Sequence, residues 1–121
     1  MPYVIQLLPV SAVKRFSGEV TFDDIFNSER EISSSVNYTS LRYVISDYTD
    51  ARCVPLTELE RQEIRALRVG GFYTNPRIKY AFVTTDSQVK AAIEESVAVG
   101  DTLHPTQVFA SFEAALLWAA R

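Results

Sequence analysis

Apolar positions along this chain fall into short runs whose period switches between two and about three and a half, and each switch marks a predicted element. Tyr3 to Leu8 is strand-like and stops at Pro9, and Ala12 to Ser17 is a second strand candidate ending at Gly18. Joined by a short Pro-containing turn, the two predict an antiparallel hairpin. Thr21 with Asp24 has the spacing of a capping box, and Phe22, Ile25, Phe26, Ile32 and Val36 follow at roughly helical spacing, which predicts the first helix. Leu41 to Asp47 then reads as a strand centred on Tyr43, Val44 and Ile45, residue types that pack well on a pleated surface. A polar loop, Tyr48-Thr49-Asp50, closes it.

Thr57 with Glu60 is a second capping box, preceded by Pro55, and Leu56, Leu59, Ile64 and Leu67 sketch the apolar side of a second helix. Gly70-Gly71 is expected to end it, because glycine relieves the left-handed turn at a helix C-terminus. Ile78 to Val83 is nearly all apolar, which suits a strand covered on both faces. Thr84 to Ser87 supplies a cap for a third helix with Val89, Ala92, Ile93 and Val97 on one side, stopped by Gly100. After a connector holding His104 and Pro105, Thr106 to Ser111 forms a last strand with the apolar core Val108-Phe109-Ala110. It meets a helix from Phe112 onward through Ser111.

Repeated strand-then-helix units imply right-handed crossovers and a mainly parallel sheet, so the expected class is α/β with four or five strands and about four helices. No repeat or linker-like tract interrupts the sequence, and residues 1–121 read as one domain. Hydrophobic residues make up 47% and charged residues 22%, enough to bury a core without disulfides or metals. A net charge of -3 argues against a broad nucleic-acid-binding face. Cys53 is the single cysteine, and no apolar run reaches membrane-spanning length or forms a secretion leader, so the expected location is the cytoplasm.

The order of elements resembles the SpoIIAA-like branch of the STAS and anti-sigma-factor-antagonist superfamily over essentially the whole chain. The residues carrying the resemblance are Phe16-Ser17-Gly18-Glu19-Val20-Thr21 before the first helix, Tyr43 to Asp47 with Tyr48-Thr49, and Val108-Phe109 with Glu113-Ala114-Ala115 and Trp118. In antagonists of the bacterial sigma-factor switch, an Asp-Leu-Ser type motif ends the third strand, and Asp47-Tyr48-Thr49 resembles it. A loop then leads to Asp-Ser-Ser-Gly with the phosphorylated serine at a helix N-terminus, where the dipole tolerates negative charge. Those four positions fall here on Pro55-Leu56-Thr57-Glu58, so the serine position is Leu56 and the one nearby hydroxyl is Thr57. The simpler role for Thr57 is an N-cap, which puts a phosphoswitch in doubt.

Reactive residues are sparse. Cys53 and His104 lie in no catalytic signature, and one Cys with one His cannot build a usual zinc site, so neither catalytic nor metal-binding residues are expected. No Gly-rich phosphate loop is present and no cofactor is expected. Asp47 and Asp50, with Thr49 between them, lie at the expected carboxyl end of a strand, where open α/β sheets place their ligand crevice; Asp side chains bonding a solvated turn are the plainer reading. Arg61, Arg65 and Arg68 recur four and three residues apart and stack three guanidinium groups on one helix face. They read either as a solvated face or as a dock for an anionic ligand or acidic partner. Phe72 to Pro76 reads as an aromatic turn. Trp118 is expected in the core, and with Leu117 it could instead join an exposed stripe supporting a homodimer. These features together predict a non-catalytic binding or regulatory module that recognises a protein partner or a small apolar or anionic ligand. The alternative is a small enzyme using Asp47, Asp50 or His104.

Overall fold

A computed structural model describes residues 2–121. Strands β1 (Tyr3–Leu7) and β2 (Ser11–Val20) form the predicted antiparallel hairpin, with Leu7 opposite Ala12 at its closed end. Helix α1 (Phe22–Ser33) leads through a short 3-10 turn at Tyr38–Ser40 into β3 (Tyr43–Cys53). Helix α2 (Glu58–Thr74), β4 (Lys79–Val83), α3 (Ser87–Ala98), β5 (Thr106–Phe109) and α4 (Phe112–Ala119) follow. The strands lie in the order β1-β2-β3-β4-β5, and every pair after the first hairpin is parallel.

That sequential order decides which face each helix covers. Right-handed crossovers that all step the same way along a sheet deliver their helices to the same side. Accordingly Ile25 and Ile32 of α1 and Ile64 of α2 join one core with Ala12, Phe16, Val44, Tyr48, Tyr80 and Phe82, while α3 contributes the half-buried Ile93. The opposite face carries Val13, Ile45, Ala81 and Val83, and α4 covers it by pressing Ala115 and Ala119 against them. Two alanines allow close approach of a helix only eight residues long. Leu41, Val44, Ile45 and Ile78 are fully buried, each contributing about 1.5–3 kcal/mol.

Local chemistry explains the boundaries. Thr21 and Thr57 both form reciprocal capping boxes with Asp24 and Glu60, as the spacing predicts, and Asp86 and Ser111 cap α3 and α4. Several predicted boundaries move, among them the last strand, which ends at Phe109 instead of Ser111. Strand β2 continues through Gly18, whose φ of 69° suits glycine, to Val20. Helix α2 runs through Gly70-Gly71 to Thr74, so Phe72 and Tyr73 are helical rather than part of a turn. Gly71 serves close packing: a Cβ there would stand 2.5 Å from the Tyr38 hydroxyl. Helix α1 stops at Ser33, leaving Val36 exposed.

The third strand differs most. It extends through the predicted loop Tyr48-Thr49-Asp50 to Cys53, with a bulge: Arg15 and Ser17 of β2 face Asp47 and Asp50, so β3 carries one extra residue. The Asp47 carboxylate staples the bulge by accepting from the Thr49 amide at 2.9 Å and the Thr49 hydroxyl at 2.5 Å. The extra residue flips the alternation. Tyr48 before it, and Ala51 and Cys53 after it, therefore all face the α1–α3 side.

Candidate functional site

Helix α3 covers the sheet without closing on it, since none of its residues is buried. A cavity of about 730 Å³ lies between α2, α3 and the sheet, within the size range of small-molecule sites. Its floor is aromatic: Tyr48 stacks on Phe16 at 4.4 Å and lies 6.3 Å from Phe82, with Tyr80 beside them. The walls are Ile64 and the three arginines of α2 on one side and Val89, Ala92, Ile93 and Val97 of α3 on the other. The side of α3 predicted to be its apolar face thus lines a space instead of filling it. Burial pushes the Tyr48 and Tyr80 hydroxyls well above the usual phenol range, so both are neutral at physiological pH.

Behind the wall lies a charge cluster. Lys14, 1% exposed, projects from β2 on the same side as Ala12 and Phe16, and its Nζ donates to Glu29 Oε1 at 3.0 Å and to Ser28 Oγ at 3.3 Å. Arg68 donates from α2 to the same Glu29 oxygen at 3.3 Å and carries its guanidinium carbon to 6.0 Å from the Phe82 ring. Burial alone would raise the Glu29 carboxyl, but the Lys14 and Arg68 charges outweigh it and hold the group at about 2. Burial lowers the Lys14 ammonium from its ordinary value against the pull of Glu29. For Arg68 burial opposes the charge, and Glu29 reverses the balance upward.

The stripe of arginines divides its work. Arg68 turns inward, while Arg61 and Arg65 bracket Asp101, which follows α3, at 3.7 and 3.6 Å. Arg61 also meets Glu58 at 3.7 Å on the solvent side. All three arginines line the cavity. Thr57 is the N-cap of α2, its Oγ accepting from the Glu60 amide at 3.1 Å. Asp47, Thr49 and Asp50 do not line the cavity. Asp47 holds the bulge on the α4 side of the sheet, and Asp50 is exposed.

His104 is a buried side chain, 5% exposed, rather than a plain loop histidine. Its Nε2 lies 2.7 Å from the Asn75 carbonyl, which can only accept, so Nε2 carries the proton of a neutral ring. The ring packs against Phe72 at 5.2 Å and Tyr80 at 5.0 Å, and burial pushes its pKa below the usual 6.5. Asn75, equally buried, donates to the Tyr38 and Leu41 carbonyls. His104 and Asn75 together pin the connector before β5 to the end of α2. Asp47 and His104 stand on opposite sides of the sheet and do not converge. Cys53 reaches the cavity rim, and burial raises its thiol above the ordinary value, the reverse of what an activated nucleophile shows. Among the described residues no group of three His, Cys, Asp or Glu is placed to hold a metal ion, and no helix is long and apolar enough to cross a membrane. On α4, Trp118 packs half-buried on Phe109 at 5.6 Å, while Leu117 is exposed.

The sequence pattern singles out neither Lys14 nor Glu29, although each leaves a signal. Lys14 occupies a core-facing position of the alternation Ala12, Lys14, Phe16. Glu29 falls on the apolar stripe between Ile25 and Ile32.

No family model and no curated protein matches the sequence. Among solved structures, the chain is similar to an uncharacterised protein of the DUF3478 family with a SpoIIAA-like fold from Shewanella loihica PV-4. The identity is 13% and the TM-score 0.60, and the match covers 97% of this chain and 91% of the other. The five-stranded mixed sheet with four helices is therefore a SpoIIAA-like α/β fold, as the sequence resemblance implied.

Proposed function

We propose that the protein is a non-catalytic binding module of the SpoIIAA-like kind that holds a small ligand between α2, α3 and the sheet. The observation that carries this reading is the 730 Å³ cavity itself, aromatic below, aliphatic along α3 and edged by arginine. Sites of this type bind by burying an apolar body and fixing its orientation with a few polar groups. The alternative, an enzyme using Asp47, Asp50 or His104, finds less support, because His104 is committed to Asn75 and Asp47 to Thr49. A phosphoswitch at Thr57 competes with a capping box already formed by the same hydroxyl. Self-association is a separate proposal resting on Leu117, 77% exposed on α4; light scattering that reports a monomer would remove it.

Native mass spectrometry of protein isolated from its own cells is expected to detect a retained small molecule, absent from an Ile93→Trp variant whose indole projects into the cavity and obstructs it. Retention of the molecule by that variant would refute the assignment of the site. Substrate turnover abolished by replacing Asp47 or His104 would refute the non-catalytic reading.

A further inference from the structure

Positive charge outnumbers negative along the α2 side of the cavity. In the buried cluster two cations, Lys14 and Arg68, share one carboxylate, Glu29. Nearer solvent, Arg61 and Arg65 share Asp101, and the second acid near Arg61, Glu58, is 73% exposed and well screened. The acids elsewhere on the lining do not correct the imbalance. Asp86 is occupied in accepting from the Gln88 and Val89 amides at 2.8 and 3.2 Å, and Glu19 stands exposed on β2. A partly desolvated wall with more cations than its carboxylates neutralise, beside an aromatic floor, calls for a counter-anion attached to something greasy.

Asp101 shows where that anion would sit. Its carboxylate lies 3.6 and 3.7 Å from Arg65 and Arg61, beyond good hydrogen-bond length, so both guanidinium forks keep unused donors. It follows Gly100, whose φ of 81° turns the chain sharply after α3, and α3 has no buried residue anchoring it to the sheet. Within the binding reading above, on which this rests, we infer that the cavity takes an organic monoanion. Its acid group pairs with Arg61 and Arg65 in place of Asp101, and its apolar body lies over Tyr48 and Phe82. Asp101 then acts as an internal competitor that holds the end of α3 against α2 until the ligand's acid group displaces it.

Two dyes sharing one ring system provide the test: anilinonaphthalene sulfonate, a monoanion, and phenyl-naphthylamine, its neutral parent. Fluorescence titration is expected to show the anionic dye binding about tenfold more tightly, the discrimination that one charge-assisted contact supplies. Arg65→Met should erase most of that preference. Asp101→Asn should tighten the anionic dye several-fold by removing its competitor while leaving the neutral dye unchanged, a gain that a merely damaged fold would not produce. Arg65 is 54% exposed, and Asp101, 19% exposed, lies in the turn after α3 with only long ion-pair contacts, so neither change threatens folding. Ile93→Trp should abolish binding of both dyes. Equal affinity for the two dyes, or an anionic dye indifferent to Asp101→Asn, would overturn the monoanion inference and leave the cavity reading standing. Failure of both dyes to bind, or binding that survives Ile93→Trp, would overturn the cavity reading itself.

Discussion

Replacing Glu29 with glutamine removes the single negative charge from between Lys14 and Arg68, and the consequence follows from the geometry. Lys14 is 1% exposed and donates its hydrogen bonds to Glu29 and Ser28, so the variant leaves an ammonium buried without a counter-charge. Breaking a buried pair from one side costs about 3–5 kcal/mol. The titration of Glu29 leads to a similar figure by a separate route. A carboxyl held at about 2 in the folded chain instead of its ordinary 4.5 corresponds to roughly 3 kcal/mol of preference for the ionised form. For a chain of this size that is a large share of a total stability on the order of 10 kcal/mol. The sign fixes a pH window: a depressed carboxyl contributes fully above pH 4.5 and loses its contribution as the pH falls toward 2. Urea unfolding followed by circular dichroism at neutral pH is expected to show Glu29→Gln destabilised by about 3 kcal/mol. Its stability should also fall less steeply than the wild type's through that acid window. Lys14→Met should cost at most about 1 kcal/mol, because Glu29 keeps Arg68 and the methionine keeps the packing. A loss below about 1 kcal/mol for Glu29→Gln, or an unchanged acid profile, would refute the reasoning.

Adjacent glycines should respond oppositely. Gly70→Ala, with open space around its Cβ, should raise the midpoint of thermal unfolding, gaining about 0.5–1 kcal/mol from helix propensity. Gly71→Ala, which meets the Tyr38 hydroxyl, should lower it, at a cost of about 1–3 kcal/mol in stability. Thr57→Ala should cost about 1 kcal/mol in urea unfolding through loss of the cap, and mass spectrometry of native protein should find no phosphate on Thr57. His104 is harder to protonate in the folded chain than in the unfolded one, so its contribution is full above pH 6.5 and declines below it. Thermal melts compared at about pH 7.5 and about pH 5 should show a smaller acid loss for His104→Gln than for the wild type.

Local chemistry was the legible part. Capping boxes at Thr21 and Thr57, the two-sided apolar run of β4 and the Ser111 junction before α4 each depend on neighbours within a few residues, and each appears where the spacing puts it. The arginine stripe was legible as a face, but not as the wall of a cavity, because the space across from it is created by α3 standing off the sheet. Tyr48, Thr49 and Asp50 read as a polar loop after a strand that ends at Asp47. Pairing with β2 through a bulge kept them in the sheet, and that pairing is a tertiary event with no local signature. Gly70-Gly71 failed as a helix stop for a related reason: packing against Tyr38, more than thirty residues away in sequence, requires a residue without a Cβ at Gly71. The charge cluster was hidden because Lys14, Glu29 and Arg68 come from three different elements, and only their placement on core-facing positions hinted at a meeting.

The sheet's running order has a consequence for how the molecule assembles. Each strand pairs with the one made just before it, so no finished seam must reopen to admit a later arrival. Zippering can proceed stepwise from the first hairpin, each later addition closing a single crossover, so no loop has to span more than one strand-to-strand connection at a time.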